Sequence, residues 1–182
     1  MRELVERAQQ GNREAFAALA EASIAEMYNL AQLMLSDGDL AQDAVQEALI
    51  GAWRDLHALR DADRFRPWLR RILVNAVYRT AKRERRASRR LVDATAGEVV
   101  HGPARDVENR DAIDRAFVRL SAEHRAVLVA HHYLELSDDE AAEMLGVRPG
   151  TVKSRLHRAT AAMRSVLDAD SRQSGDMTVG IR

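Results

Sequence analysis

The sequence predicts an all-α fold of two small helical domains joined by a flexible linker, the C-terminal domain being a helix-turn-helix. Three observations predict it. Apolar residues recur at helical spacing along most of the chain. Only three prolines and nine glycines punctuate 182 residues, which favours helices over short strands joined by turns. The periodicity lapses between Ser88 and about Asp111, where the runs Asp-Ala-Thr-Ala-Gly and His-Gly-Pro fall, and the domain boundary belongs there. Helical domains of under about 90 residues can fold alone, so a chain of this length accommodates two modules.

The first domain spans residues 1–90. Asn12 and Glu14 stand near the start of an amphipathic stretch carrying Phe16, Leu19 and Ala20. Ile24, Met27, Leu30, Ala31 and Met34 follow at helical spacing and are expected to face the core. Ser36, Asp37, Gly38 and Asp39 form a turn and cap cluster, after which Val45, Leu49, Ala52, Trp53 and Leu56 recur at i, i+4, i+7, i+8 and i+11. After a break at 60–66, Pro67 takes the first helical position of a segment with Trp68, Leu69, Ile72, Leu73, Ala76 and Val77 on one face. Trp53 and Trp68 sit on apolar stripes and are expected in the core.

Residues 91–111 read as a linker with at most fleeting helix. Periodicity returns at Ile113, Ala116, Phe117 and Leu120, continues through Val127, Leu128, Ala130 and Leu134, and reaches a compact segment from Leu136 to Leu167. The second domain is therefore placed at 112–168, with a polar tail at 169–182 expected to fray.

Within that domain Ser137-Asp138-Asp139-Glu140 is a capping box. The helix it starts runs through Ala141, Ala142, Met144 and Leu145 to Gly146, and Pro149 opens a second helix after a three-residue turn. Val147, Val152, Leu156 and Met163 can bury between the two, giving helix-turn-helix spacing. Facing outward are Arg148, Thr151, Lys153, Ser154, Arg155, His157 and Arg158. Such side chains can contact phosphates or donate to guanine edges in a major groove, a good bidentate pair giving roughly 1–3 kcal/mol of discrimination.

Charge is segregated although the net is zero. Twelve basic residues crowd the span from Arg60 to Arg90 against Asp61, Asp63 and Glu84, which reads as a polyanion site. Ahead of it Asp37, Asp39, Asp43 and Glu47 give another helix an acidic surface, so two different partners are expected. With no cysteine, disulfides and thiolate metal sites are excluded. No apolar h-region opens the sequence, and no apolar run approaches the roughly 20 residues of a membrane span, so a cytoplasmic protein without membrane insertion is expected.

The run Gly150-Thr151-Val152-Lys153-Ser154-Arg155-Leu156-His157-Arg158-Ala159 resembles region 4 of the extracytoplasmic-function (ECF) group of bacterial RNA polymerase sigma factors. Asp43-Ala44-Val45-Gln46-Glu47 followed by Trp53 resembles the region 2 helix of that family, and Phe65-Arg66-Pro67-Trp68-Leu69 with Arg71-Ile72 and Asn75 resembles the segment after it. The resemblance spans about Glu3 to Leu167. It implies a sigma factor that binds core RNA polymerase and directs promoter recognition, promoter melting and transcription initiation, and it makes an anti-sigma partner expected. It assigns polymerase docking to Asp43, Gln46 and Glu47. It assigns the minus-ten element, including non-template single strand, to Asp63 and Arg64 of a base-capturing loop and to Asn75, Tyr78, Arg79, Lys82 and Arg83. The minus-thirty-five duplex falls to Arg148, Thr151, Lys153, Ser154, Arg155 and Arg158. Two departures stand out: Arg79 replaces an expected acid four positions after Asn75, and Glu135 replaces a glycine common before the Leu-Ser of region 4.

The linker offers a check. At roughly 3.3–3.6 Å per residue, about 21 residues extend at most to some 70–75 Å, close to two turns of DNA at about 34–36 Å each. One rival is a stand-alone helix-turn-helix regulator binding duplex DNA without polymerase, a reading the acidic helix argues against. Another is an enzyme. His131-His132 is the only pair that invites a metal, yet adjacent helical positions point about 100° apart and no third ligand completes a zinc pattern. No phosphate loop or nucleophile motif is present, so no catalytic residue, metal or cofactor is expected.

Overall fold

The computed structural model describes residues 1–94 and 112–176, and every regular element among them is helical. In chain order these are α1 (Arg2–Gln9), α2 (Arg13–Leu35), α3 (Gly38–Asp55), α4 (Phe65–Ala94), α5 (Ala112–Val118), α6 (Ala122–Leu128), α7 (Asp138–Leu145) and α8 (Pro149–Asp176). Short 3₁₀ turns at Leu56–Ala58 and Ala62–Arg64 lead into α4, and a π turn at Val129–Tyr133 follows α6.

Local chemistry sets most of these boundaries. Asn12 Oδ1 accepts from Ala15 N at 2.9 Å and Asp37 Oδ1 from Leu40 N at 3.0 Å, each side chain satisfying an amide that the first helical turn leaves unpaired. Ser36 ends α2 in the left-handed region at φ 56°, so the chain reverses and α3 packs back on α2. Gln9 Nε2 donates to the carbonyls of Leu59 and Leu56 at 2.6 and 3.1 Å, tying α1 to the turn before α4. The core of this module holds Val5, Leu19, Leu30, Met34, Leu56, Phe65, Leu73, Val74 and Val77, each at most 2 % exposed.

Three apolar residues expected inside lie outward. Ile24 is 48 % exposed because Ser23 takes the neighbouring core position, its Oγ donating to Leu19 O at 2.8 Å. Trp53 is 38 % exposed and tilts against Phe16 with ring centroids 5.0 Å apart, since the true stripe of α3 is Ala41, Ala44, Val45, Ala48 and Ala52. Those alanines let helices approach closely while signalling little hydrophobicity. Ile113, at the first turn of α5, is 62 % exposed. Trp68 does pack on the core beside Phe65, at 6.0 Å.

Helix ends differ too. α4 begins at Phe65, two residues before Pro67, whose missing N–H still falls in the first turn and costs no hydrogen bond. Its backbone continues through Arg89, Arg90 and Leu91 to Ala94, because arginine, leucine and alanine favour helix without any apolar face. Of the span read as linker, 95–111 lies outside the described residues, as does 177–182 of the tail. α8 runs on through the tail's first residues to Asp176, past the last apolar repeat.

The C-terminal module packs α5, α6, α7 and α8 around Leu120, Ala126, Val127, Ala141, Leu145, Val152 and Ala159. The capping box forms as expected: Ser137 Oγ accepts from Glu140 N at 3.3 Å and Glu140 Oε2 from Ser137 N at 2.9 Å. Gly146, at φ 66°, ends α7 where a side chain would be strained. Glu135 stands at φ 52°, which accounts for the glycine expected there: the position requires left-handed backbone. Ser137→Ala is expected to lower stability by about 0.5–2 kcal/mol in urea melts, and an unchanged midpoint would mean the cap is redundant.

Candidate functional site

Asp43 and Gln46 are exposed on α3, as expected. With Glu47, Leu40 and Ile50 they line one wall of a groove of about 530 Å³, and Thr80, Arg83, Glu84 and Ala87 of α4 form the other. Ile50, 62 % exposed, supplies an apolar lip beside these acids. Such a surface suits a protein partner bearing basic side chains around an apolar contact.

Glu47 is engaged within the chain. Its Oε1 accepts from Arg79 Nε at 2.7 Å and its Oε2 from Arg83 Nη2 at 2.8 Å. Burial alone would raise the carboxyl, but the hydrogen bonds and charges of Arg79 and then Arg83 outweigh it and hold it below the usual carboxylate range. Other residues of the basic block and its loop are paired in the same manner. Arg70 and Arg66 reach Glu26 of α2 at 2.6 and 3.9 Å, Arg64 pairs with Glu143 of α7, and Asp63 accepts from Arg2 at 3.0 Å. Arg71, Lys82 and Arg86 make no ion pair among the described residues. Their spacing aligns them with Asn75 and Arg79 along one exposed face of α4.

On the helix-turn-helix, Arg148, Lys153, Ser154, His157 and Arg158 are exposed, while Thr151 and Arg155 are half-buried. Arg158 Nε donates to Ser154 O at 3.2 Å, and Ser154 Oγ to Thr151 O at 3.1 Å. Lys153 Nζ lies 3.7 Å from Asp138 of α7. Lys153, Ser154, His157 and Arg158 are thus presented together outward on α8, with Arg148 exposed in the turn just before it.

The two modules meet where α2 and α4 pack on α6 and α7, and this junction is poorly satisfied. Arg125 of α6 is 8 % exposed; its guanidinium donates to Ser36 Oγ, but its Nε has no partner. Burial, with Arg85 nearby, lowers it to about 10. Among the described residues His131 Nδ1 is likewise buried without a hydrogen-bond partner, and the buried Tyr78 hydroxyl has no well-formed hydrogen bond, only the guanidinium of Arg155 close by. Burial pushes Tyr78 up, opposed by the guanidinium of Arg155. Tyr78 and Arg155, assigned by sequence to different DNA elements, therefore face each other across the junction.

Residues 19–87 match the family model of Sigma-70 region 2, and residues 110–163 that of Sigma-70 region 4. Among curated proteins, the ECF RNA polymerase sigma factor SigM of Mycobacterium tuberculosis is 36 % identical over 160 residues, covering 86 % of this chain and 79 % of SigM. The chain belongs to the ECF sigma factors. This ECF sigma factor is also 35 % identical over 158 residues to SigL of M. tuberculosis, covering 82 % of this chain and 87 % of SigL. Its fold matches the solved chain of CnrH, in complex with the cytosolic domain of CnrY, with TM-score 0.62 at 29 % identity, covering 93 % of this chain and 97 % of that one. The chain of RpoE from Bartonella quintana, solved with the anti-sigma factor NepR, gives the same TM-score at 24 % identity over 85 % of this chain and 98 % of that one. Membership makes the chain a sigma factor that directs promoter recognition and transcription initiation. No helix among the described residues is long and apolar enough to cross a membrane.

Several residues that organise this sigma factor's site carry no sequence signal. Glu26 and Glu143 hold Arg70 and Arg64 from 44 and 79 positions away, and Arg125 reaches Ser36 across 89. Arg71 and Arg86 belong to the basic block, but the resemblance assigns neither to a DNA element.

Proposed function

We propose that this sigma factor docks on core RNA polymerase through Asp43, Gln46 and Glu47, while two modules of the same chain hold two promoter elements. The exposed face of Asn75, Arg79 and Lys82, extended by Arg71 and Arg86, tracks the backbone of the non-template strand at the minus-ten element. Tyr78, Arg83, Asp63 and Arg64 join it as their present contacts are exchanged. Base stacking on such a surface is worth roughly 1–3 kcal/mol per base, enough to favour melted over paired DNA when several bases are held. Arg148, Thr151, Lys153, Ser154, Arg155 and Arg158 contact the minus-thirty-five duplex in its major groove.

The observation that carries this reading is the pairing, on one chain, of an acid-rimmed groove with two cationic faces in separate modules. Tyr78 and Arg155 cannot reach DNA while they face each other, so the promoter-bound form parts the junction. The protein works by binding, without covalent chemistry of its own, in the cytoplasm where polymerase and chromosome lie. As CnrH and RpoE are solved with CnrY and the anti-sigma factor NepR, an anti-sigma protein is the expected partner holding this chain inactive.

The test is run-off transcription with purified bacterial core polymerase on a library of promoter fragments. Transcripts sharing two upstream motifs are expected, and Asp43→Lys is expected to cut polymerase affinity about tenfold, or 1.4 kcal/mol. The C-terminal half of the site should keep its duplex binding. Silence from a folded, DNA-binding protein would favour the stand-alone regulator, and unchanged polymerase affinity in Asp43→Lys would remove the docking assignment.

A further inference from the structure

Arg79 is where this chain departs from the acid expected four residues after Asn75, and the structure places it on Glu47 rather than in open solvent. Each oxygen of the Glu47 carboxylate holds one arginine, and the two arginines stand one turn apart on α4. Arg83 is anchored further by Thr80 Oγ1 at 3.1 Å, and Thr80 is buried. An acid at position 79 would meet Glu47 as a like charge, so this arrangement belongs to the present chain and to its substitution.

The pairs sit at the edge of the groove that Asp43 and Gln46 also line. Side-chain exposure is 54 % for Arg79, 64 % for Arg83 and 32 % for Glu47, so the contacts are accessible from solvent and weak. A carboxylate holding two arginines cannot pair fully with a third cation, and an arginine held by a carboxylate is partly neutralised toward phosphate. The same three side chains therefore serve two surfaces that compete for them.

We propose that Glu47 is a positioning residue that restrains Arg79 and Arg83 from nucleic acid until a basic side chain of the docked polymerase takes their place on its carboxylate. This rests on the docking reading above. Polymerase docking then releases two cations to the minus-ten strand, and by reciprocity nucleic acid that captures the arginines frees Glu47 for polymerase. The exchange breaks two exposed ion pairs and replaces them with contacts of the same exposed kind, so each step shifts affinity several-fold rather than by orders of magnitude.

The experiment uses the full chain and a fluorescent single-stranded DNA oligonucleotide, titrated without polymerase over a range of salt. Glu47→Gln is expected to bind several-fold more tightly than wild type, with a salt slope steeper by about 1.4, the value for two added phosphate contacts on a single strand. In an Arg79→Gln, Arg83→Gln background the same change should give no gain. A gain that persists there would mean Glu47 merely repels DNA, and no gain in the first place would mean it restrains nothing; either overturns the proposal. A second arm measures binding of unliganded core polymerase. Arg79→Gln, Arg83→Gln should bind polymerase several-fold more tightly because Glu47 is free, and a flat result beside a positive first arm overturns the exchange. If Asp43→Lys leaves polymerase affinity untouched, the docking reading itself has failed, and the oligonucleotide arm still decides whether Glu47 restrains the arginines.

Discussion

Arg125→Met is expected to stabilise the chain by about 1–4 kcal/mol and to lower its transcription. Arg125 is a buried cation whose contacts among the described residues supply one hydroxyl acceptor and no carboxylate, and its Nε has no partner among them. Replacing buried charge with an apolar side chain of similar volume is commonly neutral or stabilising by that amount. Arg125 does gain something from lying at the C-terminal end of α2, about 0.3–1 kcal/mol, which the substitution gives up. Because burial lowers its guanidinium to about 10, the cost of keeping it charged is present in full at every pH below that value. It is relieved only as pH rises from there toward the ordinary arginine value. The gain from Met accrues to the packed junction, not to either module alone, so it opposes the separation that promoter binding needs. Each 1.4 kcal/mol makes the parted form tenfold rarer. Thermal melting should rise by about 2–4 °C per kcal/mol for a chain of this size, and a fluorophore pair across the junction should report closer modules. A variant that melts at the wild-type temperature and transcribes normally would mean that the junction imposes no barrier.

Phe65→Ala is expected to cost about 3–5 kcal/mol. Phe65 is 1 % exposed at the first turn of α4, where its ring lies 6.0 Å from that of Trp68. Total stabilities run to about 5–15 kcal/mol, so this one cavity can remove a large share. The loss is local in effect before it is global: the start of α4 loosens, and with it the turn carrying Asp63 and Arg64 and the register of the cationic face. Polymerase binding and transcription should fall together, while Phe65→Leu, which refills most of the space, should keep both. A urea midpoint for Phe65→Ala within error of wild type would show that the site collapses around the smaller side chain.

How much of this was legible in the sequence follows from the range of each interaction. The helix-turn-helix was readable nearly to the residue because Ser137, Glu140, Gly146 and Pro149 act on backbone within three or four positions of themselves. The acidic and basic blocks were readable as composition. Their pairing was not, since Glu47 with Arg79 and Arg83, Glu26 with Arg70, and Arg64 with Glu143 join helices that only the tertiary fold brings together. The α3 stripe was misplaced toward Leu49 and Trp53 because its central alanines carry little apolar signal. Nothing in the spacing of Tyr78 or Arg155 announced that they would face each other. The departures at positions 79 and 135 were visible as odd residues; the ion pair to Glu47 and the positive φ of Glu135 give them physical meaning.

The π turn after α6 acts as a phase shifter. Leu134 N donates to Val129 O at 3.0 Å, five residues back instead of four, so the turn absorbs one extra residue. In an unbroken α-helix each residue advances the side-chain direction by about 100°. The π turn spreads five residues over about the rotation that four cover in an α-helix, so the α7–α8 pair keeps the azimuth about the axis of α6 that a segment one residue shorter would give it. Rewinding the same five residues as ordinary α-helix, with no change of sequence, would thus re-aim the duplex-reading helix while leaving every one of its side chains in place.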